Sequence, residues 1–66
     1  MARETKLERI AGEIADARRI VDEKRASIAW LKARGRPTEE GETLLRMFEA
    51  HLADLEDRDR KLRRKS

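Results

Sequence analysis

The sequence predicts an all-α fold: an antiparallel two-helix coiled-coil hairpin, expected to dimerise into a four-helix bundle. Three observations carry this. Arg18, Arg25 and Lys32 recur every seven residues in the first half, and Glu42, Glu49 and Glu56 recur every seven in the second. Paired antiparallel, Arg18 with Glu56, Arg25 with Glu49 and Lys32 with Glu42 share one sum of positions, as two helices folded back on each other require. The strongest break in the chain, Gly35-Arg36-Pro37-Thr38, stands between the two sets. Apolar residues on both sides of it repeat with the heptad period of a coiled coil.

The first helix is expected over about residues 4–34. Thr5 and Glu8 have the spacing of a capping box, in which a hydroxyl and a carboxylate satisfy the unpaired N–H groups at a helix start. Leu7, Ile14, Val21 and Ile28 take the a positions; Ile10, Ala17, Lys24 and Leu31 take d. Gly35 can adopt the left-handed conformation that ends a helix, and Pro37 biases Arg36 away from helical angles. The turn is therefore placed at 35–37. Thr38 is a suitable N-cap for the second helix, with Glu39 and Glu40 near its positive end. That helix is expected to run to about residue 62, with a basic tail at 63–66. Its a positions are Leu45, Leu52 and Asp59, and its d positions are Phe48, Leu55 and Leu62. Gly12 and Gly41 inside the helices cost roughly 1 kcal/mol each against alanine.

Folded antiparallel, Leu31 meets Leu45, Ile28 meets Phe48, Lys24 meets Leu52, Val21 meets Leu55, Ala17 meets Asp59, and Ile14 meets Leu62. The sum of positions is again constant and is offset from the charged ladder, as flanking e positions require. Lys24 can keep its ammonium in water while its stem lies in the seam. Asp59 faces a small residue, which leaves room for water or a nearby arginine. These polar layers are either tolerated near solvent or fix the register at a cost in stability. Leu7 and Ile10 are expected to lie beyond the reach of the second helix.

With 66 residues the chain makes one small domain at most. Charged residues are 47% of it, but their signs alternate and the apolar residues are periodic, which favours solvated helices over disorder. There is no cysteine, hence no disulfide and no thiolate metal site. No apolar run is long enough for a bilayer, and residues 1–6 lack the apolar core of a signal peptide. A cytoplasmic protein that does not engage membranes is the expectation.

Catalysis needs a nucleophile with a base, or a metal, in a water-poor pocket, and a two-helix seam offers none. No enzyme activity, cofactor or metal is expected. His51 is the one histidine, and Phe48 stands three residues before it where a bundle metal site would place glutamate. Two surfaces remain as candidates. On the flank opposite the ladder, the g and c positions carry Ile20, Trp30, Leu44, Met47 and His51, with Ser27 among them. These converge on one face, suited to a second copy of the chain or to another helical protein. The alternative is weak nucleic-acid binding at the basic C-terminal end, where Arg60, Lys61, Arg63 and Arg64 could contact phosphates. Asp57 and Asp59 interrupt that run, no aromatic residue interleaves it, and cations there also match the helix dipole.

Ile28-x-x-Leu31, Gly35-x-x-Thr38, Leu44-Leu45-x-x-Phe48-Glu49, Leu52 and Asp57-Arg58-Asp59-Arg60 together resemble a set of short bacterial helical-hairpin proteins of unknown function. The resemblance covers the second half of the first helix and all of the second. It implies a capped helical hairpin and no activity or catalytic residue.

Overall fold

The computed structural model describes residues 5–65. They form two helices, α1 (Lys6–Ala33) and α2 (Glu39–Lys65), packed against each other as a hairpin about 49 Å long. Thr5 is the N-cap of α1: its backbone is extended, and its hydroxyl accepts a hydrogen bond from the Glu8 N–H at 3.1 Å. The helix thus starts one residue after the cap. Glu4, the expected start, lies outside the described residues.

Gly35 closes α1 with φ at +68°, the left-handed region in which a side chain is strained. The Gly35 N–H donates to the Lys32 carbonyl and the Arg36 N–H to the Leu31 carbonyl, both at 3.0 Å. This is the Schellman arrangement, and it satisfies carbonyls that a helix end otherwise leaves open. Across the turn, the Thr38 carbonyl accepts from the Glu42 N–H at 2.8 Å, so α2 is under way from its first residue. Glu39, Glu40 and Glu42 occupy its first turn, where they complement the positive end of the helix dipole.

α2 does not end at residue 62 but continues helical to Lys65. Its last turns carry successive acid–base pairs at i,i+4 spacing: Asp54 with Arg58, Asp57 with Lys61, and Asp59 with Arg63. Such pairs support helix where few tertiary contacts exist. The last residue of the expected tail, Ser66, lies outside the described residues.

The register is the expected one. Arg18 meets Glu56 at 3.0 Å, Arg25 meets Glu49 at 2.7 Å, and Lys32 meets Glu42 at 3.0 Å. Beneath this ladder Ile10, Ile14, Ala17, Val21 and Ile28 of α1 are buried, with Leu55 of α2. Ile10 is therefore within reach of α2, contrary to expectation: Leu62 packs against its cluster, and Lys65 from the added residues lines the same depression. Leu7, one turn earlier, is half-buried. Lys24 is half-buried in the seam. The arginine beside Asp59 is Arg63, whose Nε donates to Asp59 Oδ2 at 2.9 Å, while Asp59 Oδ1 is buried with no hydrogen-bond partner among the described residues.

Candidate interaction surface

The two flanks of the seam differ in kind. One is closed by the ladder. On the other, Trp30, Leu44 and Met47 are 54%, 42% and 63% exposed, and among the described residues they are the large apolar side chains that the hairpin leaves open. Their c and g positions follow from the heptad frame, which fixes which side of each helix they occupy.

The other two expected partner-binding residues lie further from the turn. Ile20 is half-buried and His51 exposed, and they line one shallow groove with Glu13, Asp16, Ala17 and Phe48. Leu44 lines a separate depression with Glu40 and Thr43. Trp30 is not in the groove. Its ring lies under the guanidinium of Arg34, 3.7 Å from the ring centroid, a cation–π contact between residues one turn apart on α1. That contact draws Trp30 toward the hairpin tip while leaving more than half of it in water.

Phe48 and the carboxylates Glu13 and Asp16 belong to this surface but were not expected in it. Phe48 occupies a d position, and the heptad pattern assigns such residues to the seam. Its ring is too large to sink fully beneath one facing helix, so it also reaches the groove. Glu13 and Asp16 occupy the same g and c positions as the apolar residues, so the positional signal was present while their polarity concealed it.

His51 has carboxylates across the groove, yet no group of three or more histidine, aspartate or glutamate side chains is placed to hold a metal ion among the described residues. In the basic segment, Arg60 and Lys61 both pair with Asp57, at 3.3 and 3.0 Å, and Arg63 pairs with Asp59. Lys61 first, then Arg60, hold the Asp57 carboxyl below its ordinary value by hydrogen bonding to its charged form. Arg64 is exposed. Much of the cationic run is thus matched by carboxylates of the same helix. The aspartates that interrupt it in sequence are its partners in space.

No described helix is long and apolar enough to cross a membrane. Comparison with protein-family models, with curated proteins and with solved structures gives no match.

Proposed function

We propose that this chain is a non-enzymatic interaction module that docks through its open flank, with a second copy of itself as the first partner and another helical protein as the alternative. One observation carries the reading: the exposed large apolar side chains Trp30, Leu44 and Met47 share one flank, while the opposite flank is closed by ion pairs. Grouped apolar exposure of this kind marks interaction sites, and tryptophan and methionine are enriched at interface cores. Covering a large apolar side chain contributes about 1.5–3 kcal/mol, so several together can offset the cost of association. A domain of this size with no cysteine for a disulfide also gains stability from association. The compartment proposed is the cytoplasm, where a chain with no cysteine is indifferent to reducing conditions.

Sedimentation at micromolar concentration is the test. The expected result is a dimer, with Trp30→Glu plus Met47→Glu giving a monomer of reduced helicity. A stable, fully helical monomer would remove self-association and leave the flank to another protein. Salt-sensitive binding of duplex or single-stranded nucleic acid, lost when Arg60, Lys61, Arg63 and Arg64 become glutamine, would favour a nucleic-acid role instead.

A further inference from the structure

We propose that two copies associate with their turns at the same end, about a two-fold axis parallel to the hairpin, so that α1 of one protomer lies along α2 of its partner. This rests on the self-association just proposed and adds the arrangement. The alternative two-fold dimer places the turns at opposite ends, α1 along α1 and α2 along α2. Both arrangements are antiparallel four-helix bundles, and the backbone alone does not choose between them.

The side chains of the open flank do choose. Its apolar residues Trp30, Leu44 and Met47 lie toward the turn, whereas the far end is charged: acidic on α1, with Glu13 and Asp16, and basic on α2, with Arg58 and Lys61. With the turns together, Trp30 is level with the partner's Leu44 and Met47, and apolar surface covers apolar surface. At the far end, Asp16 is level with the partner's Arg58 and Lys61, and the two-fold axis repeats the match. At the tip, Arg34 is level with the partner's Glu40. One level is unfavourable, Glu23 against the partner's Asp54, and the partner's His51 stands one turn from it.

With the turns at opposite ends and full overlap, the pattern fails twice. Leu44 and Met47 fall opposite the partner's Lys65 and Lys61, so cations cover the apolar patch. Trp30 falls opposite the partner's Glu13, a carboxylate against the largest apolar side chain of the patch. Charges set against apolar surface with no opposite charge to meet them disfavour a pairing and so select against it.

The charges concerned are free to serve this role. Asp16, Arg58 and Lys61 have side chains 70%, 64% and 69% exposed, and among the described residues each pairs along its own helix, with Arg19, Asp54 and Asp57. Exposed pairs of that kind are weak and readily exchanged for a partner's charge.

The absence of cysteine makes the test clean. Arg36→Cys, in the exposed turn, is spin-labelled, and the label-to-label distance is measured in the dimer. Turns together place the labels within roughly 30 Å, because neighbouring helix axes stand only about 8–10 Å apart. Turns apart place them near the full hairpin length of 49 Å. A dimer with the long distance overturns this arrangement and leaves the interaction reading intact. A chain that sediments as a monomer overturns self-association itself, and this arrangement with it. As a second measurement, Asp16→Lys and Lys61→Glu each weaken dimerisation several-fold, and the double variant recovers most of the loss. Additive losses in the double variant, with helicity unchanged, would also overturn the arrangement.

Discussion

The two helices are nearly equal in length, 28 and 27 residues, but unequal in how well they are covered. α1 has five buried residues and α2 has one, Leu55. The residue types explain this. The buried side chains of α1 are isoleucine, valine and alanine, which are branched at Cβ or very short, so their atoms stay close to their own backbone. Most of α2's seam residues are leucine and phenylalanine, which reach over α1 and keep their outer atoms at the flank. Leu45, Phe48, Leu52 and Leu62 are accordingly only half-buried. Contact between the helices is mutual while coverage is not, and the helix left short of cover is the one that also exposes Leu44 and Met47.

Given that asymmetry, truncating the one buried residue of α2 has the largest effect. Leu55→Ala should destabilise by about 2–5 kcal/mol, comparable with the whole stability of so small a domain. Leu45→Ala should cost clearly less, because part of its side chain is already wet. Equal losses in chemical denaturation would show that the helices are covered alike.

The glycines give the next contrast. A methyl group at Gly12 of α1 meets nothing within 4 Å, so Gly12→Ala should stabilise by roughly 0.5–1 kcal/mol through helix propensity alone. A methyl group at Gly41 of α2 meets Ile28 Cγ1 at 3.2 Å, so Gly41→Ala should gain less or nothing. Melting temperatures of the two variants decide this.

The ladder should matter less. Its side chains are partly exposed, and such pairs contribute about 0–1 kcal/mol. Glu49→Lys should destabilise slightly more in the original chain than in one carrying Arg25→Glu. Asp22, 4.0 Å from Arg25, limits the recovery. Absence of any coupling in that double-mutant cycle would make the ladder a bystander to stability.

The smallest effect is in acid. Asp57 has its carboxyl held below 3.8 by Lys61 and Arg60. Its folded pKa is depressed, so its contribution is present above the unfolded value and is lost as pH falls through the folded one. The helicity of the unmodified chain should therefore fall slightly more below pH 3.8 than that of Asp57→Asn. Identical acid limbs by circular dichroism would deny Asp57 a role at the end of α2.

The hairpin and its register were legible because two independent patterns, charge and heptad, had to agree on one antiparallel offset. Ile10 was misjudged because the reach of α2 depends on its final turn, and that turn rests on Asp57–Lys61 and Asp59–Arg63 pairs. In a linear reading those aspartates interrupt a basic run, and only helical geometry turns them into its partners. Gly41 was legible as a cost to the helix but not as a close approach to Ile28, since that requires both helices to be in place. The open apolar flank was legible as a set of positions; that Phe48 and the carboxylates Glu13 and Asp16 line its groove was not, because a d position points to the seam and carboxylates do not stand out among apolar residues.

The uniform signs of the ladder have a consequence for misfolding. All three cations lie on α1 and all three anions on α2. Two α1 helices brought together along that edge would oppose cation to cation, and two α2 helices anion to anion, so exchange between chains into like-helix pairs is discouraged at the first encounter. The same uniformity leaves a seven-residue slip almost unpunished, because two of the three pairs could re-form. What forbids the slip is the tight reversal at Gly35, which has no spare length to give. A chain with a lengthened turn should therefore populate slipped hairpins, with the ladder satisfied and the seam mismatched.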